Sequence, residues 1–332
     1  MTDAKNTQIF LKKRPPQIPE PQHFGIREVD MPAPQAGEAL CKIHYLSLDP
    51  YMRGQISGRH ITGTVHEGDT LLGQTIGEVI DSKHDDYKVG DMLCFHGGWQ
   101  AYALCNGTQT SRVDPRIQPA SLALGILGMP GLTAYAGLLD LGEPKKDDVL
   151  VVSAATGGVG SMVGQIGRIH GCRVIGIAGS AEKCQWAVEQ AGFAACIDYH
   201  KENVAERLDA LCPDGVHIYF DNVGGDILEA VIWRLAVGAR VVLCGLMAQY
   251  NDAKLPPGPN PGAIIKARAT VRGLVVYDHV HRQADFVSDV LGWLADGSIA
   301  YKEDIAEGLA QAPESFCRLM RGNNFGKTII KL

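Results

Sequence analysis

The sequence predicts an α/β protein in which a β-rich first third leads into a doubly wound parallel sheet. Three observations predict it. Strand and helix patterns alternate from about Pro130 onwards, which is the signature of parallel βαβ units with helices on both faces. A glycine-rich turn sits between the first strand and the first helix of that alternation. The first third shows only short strand patterns broken by turn residues. A chain of 332 residues is long for one core and is expected to form two domains or one large α/β unit.

In the first third the strand pattern falls on 8–13, 24–29, 38–48, 70–81, 92–96 and 100–105, with turns at Pro32 and Pro34, Gly90-Asp91 and Gly97-Gly98. A helix is expected over 133–141. Then come strand 149–153, helix 158–170, strand 173–178, helix 181–191, strand 194–198, helix 202–211, strand 216–221, helix 225–236 and strand 239–244. The proline- and glycine-rich stretch 255–262 interrupts the order and reads equally as a lid or a connector. A strand at 270–276 and a helix at 282–294 follow. A helix at 313–320 and a strand at 327–331 form a tail expected to return to the first domain.

Composition excludes several function classes. Charged residues make up 20% and the net charge is −6 without a basic stripe, so nucleic acid and anionic membranes are not expected partners. No apolar run approaches the roughly 20 residues of a membrane span, and the first residues lack the apolar core of a signal peptide, so the cytoplasm is the expected location. The nine cysteines are odd in number and contain no Cys-x-x-Cys, as expected for reduced, mostly buried thiols. His279 and His281 would face different sides of a helix and read as solvated surface residues, so no metal is expected.

The segment from Val149 to Gly160 carries the most chemistry. A β-branched strand stops at Ala154-Ala155-Thr156-Gly157-Gly158-Val159-Gly160, and a helix starts there. Ala155 lets the turn tighten, Gly157 lets backbone approach a pyrophosphate, and Gly160 permits close packing of helix on strand. The free amides of the helix start then hold phosphate. Ala155 stands where the usual fingerprint has its first glycine. The next strand ends at Ala178-Gly179-Ser180, without the carboxylate that grips the ribose of NAD. Lys183 in the following first turn opposes the helix dipole, which makes sense if it faces the 2′-phosphate of NADP; a solvated lysine beside Glu182 is the alternative. Tyr199 ends the third strand and either packs on the adenosine or is a plain sheet-end aromatic. Asn222, Cys244 and Gly245, and Leu274, Val275 and Val276 end later strands, where backbone and amide groups can hold a nicotinamide.

These residues resemble the zinc-independent branch of the medium-chain dehydrogenase/reductases, in its group of prostaglandin, alkenal double-bond and curcumin reductases. The matching segments are 45–53, which contains Leu48-Asp-Pro-Tyr-Met-Arg53, then 127–135 (Leu-Gly-Met-Pro-Gly-Leu-Thr-Ala-Tyr), 154–161, 179–183, 219–225, 256–259 and 323–327, in order along nearly the whole chain. The resemblance implies a GroES-like β-rich catalytic domain over 1–125 and 303–332 and a Rossmann NADP-binding domain over 126–302. It implies NADP(H) and a homodimer joined through the edge strand at 270–276. By motif it gives Ala155, Gly157, Gly158, Val159 and Gly160 to the pyrophosphate. Ser180, Lys183 and Tyr199 go to the adenosine-phosphate side. Asn222, Cys244, Gly245, Tyr250, Leu274, Val275, Val276 and Asn324 go to the nicotinamide side. Zinc-dependent relatives carry a Gly-His-Glu motif; the corresponding Gly77-Glu78 lacks the histidine. Where some double-bond reductases have a tyrosine after the proline-rich stretch, this chain has Lys266.

The expected reaction is NADPH-dependent reduction of the carbon–carbon double bond of a small hydrophobic enone or enal. A tyrosine of ordinary pKa, about 10, is protonated at neutral pH and can donate a proton, and the resemblance favours Tyr51, which lies in the segment most specific to that group; a core tyrosine after the turn at Asp49-Pro50 is the alternative. Tyr250 and Lys266 are further candidates, and Arg53 is either a substrate anchor or half of a structural ion pair. A quinone reductase and a non-catalytic NADPH-binding protein are the alternatives.

Overall fold

The computed structural model describes residues 5–254 and 256–332, so Leu255, the first residue of the proline-rich stretch, lies outside the described residues. The described residues divide into two compact units, 5–124 with 303–332, and 125–302. In chain order the first unit contributes β1 (Lys5–Leu11), β2 (Phe24–Asp30), β3 (Ala39–Ser47), α1 (Met52–Ser57), β4 (Thr75–Ser82), β5 (Met92–Phe95), β6 (Tyr102–Cys105) and β7 (Ser111–Arg112). The second contributes α2 (Met129–Ala136), β8 (Val149–Ser153), α3 (Gly160–Ile169), β9 (Arg173–Ala178), α4 (Ala181–Glu189), β10 (Ala195–Asp198), α5 (Val204–Leu211), β11 (Val216–Asp221), α6 (Gly225–Ile232), β12 (Leu235–Leu243), α7 (Gly262–Ala267), β13 (Thr270–Gly273) and α8 (Gln283–Ala295). The chain then returns to the first unit with β14 (Glu303–Glu307), α9 (Ala312–Met320) and β15 (Lys327–Lys331).

The first unit is β-rich. β1 and β2 form an antiparallel pair, and the main sheet runs β14-β15-β3-β4-β5-β7, with β6 also on β3. β15 pairs antiparallel with β3, so the tail completes the sheet of the first unit, as the sequence predicts. Inward residues of β3, β4, β5 and β6, among them Cys41, Ile43, Val79, Leu93 and Ala103, form one core. Trp99 fills another part of the interior, stacked on Phe24 and edge-on to Phe316 of α9.

The second unit is a six-stranded parallel sheet in the order β10-β9-β8-β11-β12-β13. That is the doubly wound order, with its reversal between β8 and β11. Central strands are buried on both faces, which is why β8 reads as an apolar run and β11 as one interrupted only by the half-buried His217 before its closing Asp221.

Several expected boundaries move, each for a local reason. The strand expected over 70–81 starts at Thr75, because Leu71 bonds to Ile9 and Trp99 instead of the main sheet. The helix expected over 225–236 stops at Ile232: Arg234 N–H closes a turn on Val231, its carbonyl accepts from Val216, and Leu235 and Ala236 already belong to β12. The strand expected over 270–276 ends at Gly273, where Leu274 turns inward against Gly137 and Val276 opens a 3₁₀ turn. That turn places His279 and His281 with rings 6.1 Å apart, and His279 reaches Asp140 at 3.3 Å, so His279 is not the solvated residue expected. α1 escapes a periodicity reading because it buries Arg53 and Gln55 alongside Met52 and Ile56. α7 is too short to carry a pattern, and β14 is an acidic edge strand.

Candidate active site

Ligands of a doubly wound sheet lie beyond the carboxyl ends of its strands, at the reversal of strand order. Here that point joins the ends of β8 and β11. Ser153 Oγ donates to Asp221 Oδ1 at 2.9 Å, and Tyr219 OH donates to the same oxygen at 2.8 Å. The carboxylate also accepts the N–H groups of Val223 and Gly224. Asp221 is fully buried, so it folds the loop. Burial and the adjacent Asp221 carboxylate push the Tyr219 hydroxyl well above its usual pKa and keep it a donor. Asn222 N–H donates to Ser153 Oγ at 2.8 Å, and its Nδ2 donates to Ser153 O at 2.8 Å, which orients the amide.

The glycine turn follows directly. A Cβ at Gly160 would stand 2.3 Å from Ala154 O and 2.9 Å from its carbonyl carbon, so only glycine lets α3 start this close to the strand end. At Gly157 a Cβ would meet only Ala154 O, at 3.3 Å, so the outer side of that backbone is open. Ala155 is buried, with its N–H on Ile177 O at 3.1 Å. Gly158 and Val159 lead into α3, whose N-cap position, Val159, provides no side-chain cap. Open backbone and an uncapped helix start fit a pyrophosphate. The left-handed position is Ala154, at φ +49°, which sequence reasoning missed because it looks for glycine there.

The β9 end meets the β10 end. Ser180 caps α4, accepting Lys183 N–H at 3.2 Å. Tyr199 packs on Gly179: a Cβ there would lie 3.0 Å from the Tyr199 hydroxyl oxygen. Burial, reinforced by Asp198, raises the pKa of Tyr199. Ser180, Lys183 and Tyr199 are thus brought together by two adjacent strand ends, and Ala178 and Gly179 place no carboxylate between them. These residues fit a phosphorylated adenosine ribose.

A third group forms around the β12 end. The N–H groups of Cys244 and Gly245 donate to Asp221 O at 2.8 and 3.1 Å. A Cβ on Gly245 would sit 3.0 Å from Asn222 O and 3.4 Å from the Tyr250 hydroxyl oxygen, so Asn222, Cys244, Gly245 and Tyr250 are neighbours. Burial, with Asp221 nearby, pushes the Cys244 thiol up to about 12, which makes it an inert thiol, and burial also raises the Tyr250 hydroxyl. Leu274 N–H donates to Leu243 O at 2.9 Å, while Val275 is exposed at the end of β13 and Val276 begins the turn beyond it. Lys266 lies on the exposed side of α7.

In the first unit, Tyr51 stands at the start of α1, half-buried, just after a buried clasp. Ser47 Oγ donates to Asp49, and Lys327 Nζ donates to Asp49 Oδ1 at 2.9 Å and to Leu48 O at 2.8 Å. Asp49 and Lys327 are each 5% exposed. This ion pair joins two motifs almost 280 residues apart, a pairing that no local pattern in the sequence marks. Asn324, in the same tail, holds its own turn through Nδ2 to Gly326 O at 2.9 Å. Arg53, expected as a substrate anchor or half of a structural ion pair, is only 1% exposed and donates through Nη2 to the carbonyls of Pro15 and Gln17, so it braces the chain there. Missed altogether was His60, whose ring lies 5.1 Å from that of Tyr51; nothing in its sequence context marks it.

Residues 7–113 match a family model described as the N-terminal domain of oxidoreductase, and residues 158–296 match one described as zinc-binding dehydrogenase. The chain is 42% identical over 335 residues to the NADPH-dependent curcumin reductase of Escherichia coli (strain K12), covering 99% of this chain and 97% of that one. It is 37% identical to prostaglandin reductase 1 of Bos taurus, over 97% of each chain. The chain belongs to the zinc-independent medium-chain dehydrogenase/reductases. Within that family it falls among the curcumin, prostaglandin and alkenal reductases, as its motifs predict. A solved structure of CurA from Vibrio vulnificus in complex with NADPH is 44% identical, with a TM-score of 0.93 and 98% of each chain covered. In this member of the family the residue after Gly77, Glu78, lies 3.3 Å from His44. Among the described residues no three His, Cys, Asp or Glu side chains gather as a metal site, and no helix is long and apolar enough to cross a membrane.

Proposed function

We propose that this protein is an NADPH-dependent reductase that saturates the carbon–carbon double bond of small conjugated ketones and aldehydes. The observation that carries the reading is its whole-length similarity to reductases named for curcumin and 2-alkenal, both conjugated carbonyl compounds, the latter from Nicotiana tabacum at 34% identity. The β9 end supports the choice of nucleotide. A 2′-phosphate meets Lys183, Ser180 and Tyr199 there, and the strand end itself, Ala178-Gly179, carries no carboxylate. The open backbone at Gly157 and the start of α3 receive the pyrophosphate, and Asn222, Gly245 and Tyr250 hold the nicotinamide end.

When bound, NADPH supplies a hydride to the β-carbon of the substrate. The protein must then stabilise the charge on the carbonyl oxygen and deliver a proton to the α-carbon. Tyr51 is the donor supplied by the first unit, at the start of α1 and two residues after the Asp49 that Lys327 clasps. A donor placed at a developing oxyanion contributes about 2.7–4 kcal/mol. A homodimer goes with this reading. β13 ends the sheet, and all four of its residues are exposed, an open edge that a second copy would cover. Sedimentation at micromolar concentration checks it, and a monomer there removes the dimer.

The deciding experiment is a panel of NADPH oxidation rates with enals, enones and quinones, with NADH in parallel and the product identified by mass. A saturated ketone or aldehyde, formed with NADPH much faster than with NADH, is expected. Turnover of quinones alone, or preference for NADH, would overturn the reading.

A further inference from the structure

His60 is seated more carefully than a loop residue of the first unit needs to be. Its Nδ1 lies 2.6 Å from Thr62 Oγ1 and accepts Thr62 N–H at 3.2 Å. Gln55 Nε2 donates to the same Thr62 oxygen at 2.9 Å, so the hydroxyl hydrogen of Thr62 turns to the ring. Two donors on Nδ1 assign the ring proton to Nε2. Burial holds the imidazole below its ordinary pKa and keeps it neutral. Gly54 forms the floor: a Cβ there would stand 3.1 Å from His60 Cβ and 3.3 Å from Cδ2. The loop is drawn back onto α1 by Arg59 N–H on Gly54 O at 2.9 Å and Val65 N–H on Gln55 O at 3.0 Å. The Tyr51 ring lies against the imidazole, tilted by 31°. Together these contacts hold one imidazole in one tautomer beside the hydroxyl-bearing ring assigned to the substrate carbonyl.

We infer that His60 is a substrate-recognition residue, a neutral imidazole that offers its Nε2–H as a hydrogen bond to an oxygen of the conjugated carbonyl substrate next to Tyr51. The inference rests on the proposed function for the class of substrate, and on the geometry for the donor. A neutral donor suits a neutral carbonyl compound, because it adds directionality without attracting carboxylates.

The test uses the full chain in two arms. Nitrogen-edited NMR of histidine-labelled protein should show His60 with a bare Nδ1 and a protonated Nε2, and Thr62→Val should let the second tautomer appear. Steady-state kinetics then use whichever conjugated carbonyl the panel finds fastest. His60→Phe should raise KM about tenfold, the loss of one ordinary hydrogen bond, with kcat changed less than about threefold. His60→Gln, whose amide nitrogen replaces Nε2, should recover most of that loss. NADPH affinity, measured by fluorescence titration, should be the same in every variant, which also reports that each one folds. Gly54→Ala, which crowds the ring without removing it, should raise KM as well. A wild-type KM in His60→Phe, or a proton on Nδ1, overturns the assignment. Failure to reduce any conjugated carbonyl sinks the functional reading itself, whereas turnover with an unaltered KM in His60→Phe sinks only the role of His60.

Discussion

The nucleotide end of the second unit and the Tyr51 region of the first are built by opposite means. At the ends of β8, β9 and β12 the working groups are main-chain groups: Gly157 leaves its backbone open, and Ala155, Gly160, Gly179 and Gly245 let neighbouring elements approach closely because they carry little or no side chain. Around Tyr51 the working groups are side chains held by other side chains: Asp49 by Lys327, His60 by Thr62, and Thr62 by Gln55. A backbone site is specified locally, since a small residue at the right place in a strand–turn–helix acts on its own. A side-chain site depends on partners brought in from elsewhere in the sequence, so it responds to substitutions in places that no local pattern marks.

The sharpest way to break this contrast is at Lys327. Lys327→Ala leaves the Asp49 carboxylate buried without its cation and should lower stability by about 3–5 kcal/mol in urea unfolding. A change below about 1 kcal/mol would mean that the clasp is not what holds the Tyr51 region. Next in size is Tyr51→Phe, which should cut turnover about 100-fold while NADPH affinity stays within about twofold. Wild-type turnover would remove Tyr51 from the reaction. Gly160→Ala puts a methyl into the Ala154 carbonyl and should cost about 1–3 kcal/mol, together with weaker NADPH binding, as measured by thermal melts with and without nucleotide. An unaltered melt would show that the turn relaxes. The smallest expected effect is at Lys183. Lys183→Ala should raise the NADPH dissociation constant about tenfold and leave that of NADH unchanged, since only the 2′-phosphate differs between them. Equal losses for both nucleotides would move Lys183 away from the phosphate.

The two regions also differed in how far they could be read in advance. Strands 149–153, 173–178 and 216–221 agree with β8, β9 and β11 to the residue, because strands buried on both faces are mostly apolar and end abruptly. The residues expected for the nucleotide were placed by those ends. Boundaries failed where the apolar pattern continued through a change of conformation, as at Leu235-Ala236, where a closed turn ends the helix without a glycine or proline to announce it, and at Leu274–Val276, where an inward-turning leucine follows Gly273. α1 was invisible because its buried face is partly polar, and His60 was invisible because its worth lies in contacts with Gly54, Gln55 and Thr62.

The sequence by itself determined the doubly wound sheet, the glycine turn, the missing carboxylate after β9 and the family. Each of these is a local consequence of residue size, branching and charge, and local consequences can be read without knowing what lies opposite. Only the tertiary structure decided that Asp49 is clasped by Lys327, that Arg53 is buried as a brace, that Ala154 bears the left-handed turn, and that a neutral imidazole sits against Tyr51. Those features depend on groups far apart in the chain or on burial. Both the charge state and the purpose of a polar side chain are set by what surrounds it after folding.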